Sequence, residues 1–139
     1  MNYFIGNWKM FGILKSINIL NRINSFYSKD KNRNKYKVII TPPYTLIESY
    51  SKHFKKKRIS IGSQNCYQKD QYSSNTAAIS PYMIRKAGGK YTIIGHSDNR
   101  GEGDTDQILK NKVRFALKNN LKIVFCIGEN KNQKKTKKP

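Results

Sequence analysis

Acidic residues are scarce in this 139-residue chain: 8 Asp and Glu stand against 28 Lys and Arg, a formal charge of +20. Cysteine is scarcer still. Cys66 and Cys126 are too few for a disulfide scaffold and fit a reducing compartment. Four prolines and nine glycines exclude collagen-like and proline-rich classes. No apolar run approaches the roughly 18 residues that cross a bilayer, so no membrane association is expected. The opening residues Met1 to Gly6 carry neither a basic start nor a long apolar stretch; no secretory signal is read, and a cytoplasmic protein is expected. An apolar content of 37% suffices for one domain, or for part of a larger one.

What is abundant is Lys, Ile and Asn, at 22, 17 and 15 residues. All three have AT-rich codons, and Ile and Asn do nothing for phosphate binding, so composition explains much of the charge. The lysines are spread along the chain, apart from Lys55-Lys56-Lys57-Arg58 and the run from Lys131 to Lys138. Such a spread attracts small anions without drawing a groove-shaped footprint, and no nucleic-acid partner is expected.

Five short apolar runs read as strands: Tyr3–Ile5, Lys37–Ile40, Ile59–Ile61, Tyr91–Ile94 and Lys122–Cys126. Most are continuous rather than alternating, the pattern of strands covered on both faces. Between them lie helical spacings, at Ile13, Ile17, Leu20, Ile23 and Phe26, and again at Leu109, Val113, Ala116 and Leu117. Pro42-Pro43 can open a helix, and Ser80-Pro81 reads as an N-cap followed by a first-turn proline. Asp104 with Gln107 resembles a capping box, and Gly88-Gly89 closes the helix begun at Ser80. The order β-α-β-α-β-loop-α-β-α-β predicts right-handed crossovers and a parallel sheet. Residues 1–129 form this α/β unit; 130–139, without an apolar residue, are expected to be a lysine-rich disordered tail.

Ligands of parallel α/β proteins gather where strands end. Those positions hold Asn7-Trp8-Lys9, Gln64-Asn65, Gly95-His96-Ser97 and Cys126-Ile127-Gly128-Glu129. An amide, a lysine and a histidine on one rim suit a phosphorylated or carbonyl substrate. Singly, each has a plainer reading: a solvated lysine, a turn-shaping amide, a structural histidine. His53, on a lysine-rich face, reads as solvated.

Together, Gly6-Asn7-Trp8-Lys9-Met10 and Ile94-Gly95-His96-Ser97, with Asp98 and Arg100, resemble the triosephosphate isomerase family. Thr41-Pro42-Pro43-Tyr44, Gln64-Asn65-Cys66, Gly103-Asp104-Thr105-Asp106 and Cys126-Ile127-Gly128-Glu129 match further landmarks in order, so that residues 2–129 are covered. The resemblance implies the N-terminal portion of a (β/α)8 TIM barrel, about five parallel strands with intervening helices. It implies interconversion of dihydroxyacetone phosphate and D-glyceraldehyde 3-phosphate, in glycolysis and gluconeogenesis, through an enediolate and without metal or cofactor. Lys9 would balance substrate charge and polarise the carbonyl, Asn7 would hydrogen-bond the oxyanion, and His96 would shuttle protons between the oxygens. Ser97 and Asp98 would support His96 by opening a short helix whose N–H groups favour a neutral imidazole. A homodimer is implied, with Cys66 and Thr76 in the loop that reaches a partner subunit.

The sequence also departs from the family. The family's base is a glutamate after a sixth strand, in a Glu-Pro-hydrophobic-Trp segment, and no such segment occurs here; Glu129 matches a different family glutamate. A truncated chain, inactive and poorly folded alone, is therefore expected, through an incomplete gene or a shifted reading frame. Asp98 stands where the family usually has glutamate. Ala78 and Asn99 replace two partners of an interface ion-pair network. Two other readings remain: a non-catalytic basic protein binding RNA or DNA through the two lysine clusters, and a half-barrel that needs a complementary fragment.

Overall fold

A computed structural model describes residues 1–128; Glu129 and the expected tail 130–139 lie outside the described residues. The five predicted strands are present as β1 (Asn2–Asn7), β2 (Tyr36–Thr41), β3 (Ser60–Ser63), β4 (Tyr91–Ile94) and β5 (Lys122–Phe125). They lie in the order β1-β2-β3-β4-β5, all parallel, and curve into a half-barrel whose two edges are β1 and β5. The helices α1 (Ile17–Lys29), α2 (Tyr44–His53), α3 (Pro81–Lys86), α4 (Ser97–Gly101) and α5 (Asp106–Lys118) fill the connections. Register is long and regular between β1 and β2, from Asn2 opposite Tyr36 to Asn7 opposite Thr41.

Two clusters of buried side chains lie between sheet and helices, while Ile39, Tyr91 and Ile93 are buried outside both. One cluster joins Leu20 of α1, Ile40 of β2, Ile47 and Tyr50 of α2 and Ile61 of β3. A second joins Ile84 of α3, Ile94 of β4, and Leu109 and Ala116 of α5, with Cys66 among them. Each fully buried Leu or Ile contributes roughly 2–3 kcal/mol, so these two seams hold the layers together. Tyr3 and Phe4, on edge strand β1, stay exposed.

Start and stop signals are mostly as read. Ser80 caps α3, its Oγ accepting from the Met83 N–H at 3.2 Å, with Pro81 in the first turn. Gly88 takes a φ of +91°, and the Gly88 and Gly89 N–H groups close the helix on the Arg85 and Ile84 carbonyls. Ser80→Ala is expected to cost about 1 kcal/mol in chemical denaturation. No change in the urea midpoint would mean that the cap contributes nothing.

Three expectations are corrected. The cap of α5 is Thr105, whose Oγ1 accepts from the Ile108 N–H; the Asp104 carboxylate is instead occupied by the Lys112 ammonium at 2.7 Å. Phe26 follows the helical spacing yet is 74% exposed, and Leu117 is exposed as well. The buried stripe of α5 runs through Leu109, Lys112 and Ala116, so a lysine holds a position that an apolar residue would normally fill.

The charges are dispersed along the chain but not in space. Every helix returns the chain to the same end of the sheet, and the cations collect there. Lys31, Arg33 and Lys35 precede β2, Lys55 to Arg58 precede β3, and Lys86 and Lys90 precede β4. Asp98, Glu102, Asp104 and Asp106 all follow β4, at the opposite end. Cations at helix C-termini are favoured by the helix dipole, which accounts for part of this polarity.

Candidate functional site

The rim at the C-terminal ends of the strands begins with an unusual backbone. Lys9, two residues beyond the end of β1, has φ at +53°, a region a side chain with a Cβ rarely adopts. The conformation is held from several directions. Asn7 Oδ1 accepts from the Lys9 N–H at 3.0 Å, and Gln64 Nε2 donates to the Lys9 carbonyl at 2.7 Å and to the Thr41 carbonyl at 2.9 Å. Further on, the Tyr50 hydroxyl donates to the Ile13 carbonyl, and Trp8 packs edge-on against the Tyr50 ring. Gly12, at φ +113°, passes so close to Trp8 that a Cβ would stand 2.7 Å from its ring. The loop is thus clamped between α2 and the end of β3, and the lysine is aimed along the rim.

His96 approaches from β4, 87 residues away in the chain. It is the N-cap of α4, and its Nδ1 accepts from the Asp98 N–H at 3.1 Å. Because Nδ1 is an acceptor, a neutral imidazole must carry its proton on Nε2. Nε2 lies 3.1 Å from Lys9 Nζ, which itself donates to Asp98 Oδ2 at 2.7 Å. Two N–H donors therefore stand side by side, and an oxygen lying off the line that joins them can accept from both. The hydrogen bond from Lys9 holds the Asp98 carboxyl below the usual carboxylate range.

These groups border a hollow of about 370 Å³, lined also by Asn7, Gln64, Asn99 and Glu102. Among the described residues, Lys9 is the one cation in that lining. His96 borders a second hollow as well, of about 430 Å³, shared with Gly95, Ser97, Arg100 and Cys126. The predicted residues Asn7, Lys9, His96 and Asp98 are thus brought together, with Ser97 opening α4 beside them. Thr76 stands exposed in the connection between β3 and α3, outside that lining. Cys66 is buried in the second core cluster, where burial pushes its thiol up to about 11. His53 is exposed and lies 2.7 Å from Asn21 Oδ1, away from the rim. Among the described residues, no group of three or more His, Cys, Asp and Glu side chains gathers that could hold a metal ion.

Sequence reading missed one element beneath this rim. Lys112 Nζ, almost wholly buried, donates to both Asp104 oxygens at 2.7 Å and to Asn65 Oδ1 at 3.0 Å. This ties α5 to the segment after β3, next to Gln64. Its signal was available: residues 109, 112 and 116 share one helical face.

Fold and rim together define a (β/α)-barrel protein, with a polar site at the C-terminal ends of its strands. The family model for triosephosphate isomerase matches residues 2–139, and the chain belongs to that family. It is 36% identical over 130 residues to triosephosphate isomerase of Bacteroides fragilis, covering 92% of this chain and 51% of that protein. The triosephosphate isomerase of Yarrowia lipolytica is 32% identical over 139 residues, covering 98% and 54%. The crystal structure of triosephosphate isomerase from Bartonella henselae superposes with a TM-score of 0.89 at 32% identity, covering 98% of this chain and 55% of that one. The chain spans about half the length of the curated relatives it matches.

Proposed function

We propose that these residues form the electrophilic half of a triosephosphate isomerase site, which interconverts dihydroxyacetone phosphate and D-glyceraldehyde 3-phosphate by enediolate proton transfer. The observation that carries the reading is the side-by-side pair of donors, Lys9 Nζ and His96 Nε2, 3.1 Å apart. A carbonyl oxygen accepting from both gains negative charge as the adjacent carbon loses its proton, and both hydrogen bonds strengthen as it does. Nε2–H can pass its proton to that oxygen and recover it from the neighbouring hydroxyl, while the Asp98 N–H keeps the ring oriented. The ammonium of Lys9 also balances the substrate's phosphate charge. Asn7 serves the same end by holding the Lys9 backbone in place.

Removal of the carbon-bound proton needs a base, and the rim carboxylate nearest the donors, Asp98, is engaged by Lys9. The base and the phosphate-binding loops are expected from a complementary half-barrel lying along β1 and β5. Exposed Met10, Phe11, Ile13 and Leu14, close behind Lys9, fit the homodimer contact of the complete protein, with Thr76 of one subunit reaching toward another. The reducing environment suggested by two unpaired thiols agrees with a cytoplasmic location.

A polypeptide of these 139 residues, assayed with dihydroxyacetone phosphate, is expected to show no turnover above background. Adding the C-terminal half of the Bartonella henselae relative should restore measurable isomerisation. Turnover by the 139 residues alone, at the level of an intact isomerase, would refute the division of labour. No activity in any reassembled form would count against the reading itself.

A further inference from the structure

On the end of the half-barrel opposite the rim, two hollows adjoin and share Arg85 and Lys90. The larger, about 460 Å³, is lined by Lys37, Arg58, Arg85, Lys90 and Lys122, together with Ser60 and Asn120, and by no carboxylate among the described residues. The smaller, about 290 Å³, adds further lysines, and its single carboxylate, Glu48, is already held by Lys52 at 2.6 Å. These side chains come from β2, β3, α3 and β5 and from the connections that precede β3, β4 and β5, so the fold brings them together where the chain order keeps them apart.

We propose that this face binds single-stranded nucleic acid through its phosphate backbone. A groove carrying five cations and no acid in its lining is complementary to a chain of phosphates, and Ser60 and Asn120 add neutral hydrogen-bonding groups to phosphate and sugar. Two hollows that share Arg85 and Lys90 offer one continuous track. A flexible strand can follow such a track, whereas a stiff duplex spans it without filling it. Lipid is disfavoured because membrane-surface segments pair their basic face with exposed apolar side chains. Here the large apolar side chains of the lining, Phe54, Ile59, Ile61, Tyr27 and Tyr91, are all buried. The acids that follow β4 lie at the far end, and Asp30, ahead of β2, lines neither hollow. Binding here is independent of the rim and of the proposed isomerisation.

The test is fluorescence anisotropy of the 139-residue chain, paired with the C-terminal half-barrel and folded by circular dichroism, with a labelled oligouridylate of about 12 nucleotides, a length within the usual single-strand site sizes. Binding at low salt should weaken with a log–log salt slope of about −3.5, as for five phosphates neutralised on a single strand. The double variant R85E/K90E should lose at least tenfold in affinity and flatten that slope. A charge-matched control, K15E/K69E, removes the same charge from positions outside both hollows and should change affinity less than twofold. Equal losses in the two variants would mean that the chain's overall charge binds, whether it is folded or not, and would overturn the proposal. So would equally strong competition by polyglutamate, or tighter binding to phosphatidylserine vesicles than to the oligonucleotide.

Discussion

Replacing Lys9 by methionine is expected to lower kcat/KM of the reassembled isomerase by at least a thousandfold, the rate equivalent of about 4 kcal/mol of transition-state stabilisation. Two losses combine. Among the described residues the ammonium is the one cation lining the hollow, so the developing oxyanion loses a charged donor and the phosphate loses its counter-charge. The substitution also frees the Asp98 carboxylate, which Lys9 engages at 2.7 Å and which stands 3.6 Å from His96 Nδ1. An unbalanced carboxylate there repels an anionic substrate and the negative charge that builds on its carbonyl oxygen. The double variant K9M/D98N should therefore recover part of the loss, about tenfold, rather than add to it. A drop of less than tenfold in the single variant would remove Lys9 from the chemistry. A double variant worse than the single one would show that Asp98 has another task.

The second large effect concerns stability. Lys112→Met should destabilise the half-barrel by about 3–5 kcal/mol, because it leaves Asp104 largely buried without its partner. Asp104→Asn should cost less, since an amide oxygen and Asn65 Oδ1 can still accept from the ammonium. Removing both charges with K112M/D104L should return most of the stability lost in K112M, as two apolar groups of fitting volume need no desolvation of charge. Urea denaturation of the three variants, followed by far-ultraviolet circular dichroism, separates these outcomes. Equal midpoints for K112M and the parent would show that the pair contributes no net stability. Because Asn65 also accepts the Cys66 N–H at 2.9 Å beside Gln64, K112M should also raise KM in the reassembled enzyme, through the clamp on Lys9.

Much of the fold was legible without coordinates. A β-branched run such as Tyr91–Ile94 has one inexpensive conformation, extended and covered on both faces, and β4 has the predicted bounds. Ser80-Pro81 and Gly88-Gly89 punctuate α3 because a hydroxyl cap, a preset φ and a left-handed glycine act over a few residues. Where two local signals competed, sequence reading chose wrongly. Asp104 and Thr105 are both good caps, and a lysine eight residues further on drew the carboxylate away. Phe26 keeps helical periodicity, but the face it occupies meets solvent rather than sheet. Periodicity names a stripe without saying how wide it is.

The site divides in the same way. The sequence alone marked Asn7, Lys9, His96 and Asp98 as family landmarks, because each lies in a short motif at a strand end. It also determined the order of strands and helices, since those depend on neighbours a few residues apart. Only the tertiary structure decided that Lys9 Nζ and His96 Nε2 meet at 3.1 Å, across 87 residues of chain. It alone revealed that Lys112 lies buried beneath them. It also changed the meaning of the scarcity of acid. Along the chain the cations are spread out, but parallel β/α repeats return every helix to one end of the sheet. The fold therefore gathers the cations at that end and leaves most of the few carboxylates on the other, where Lys9 and His96 stand.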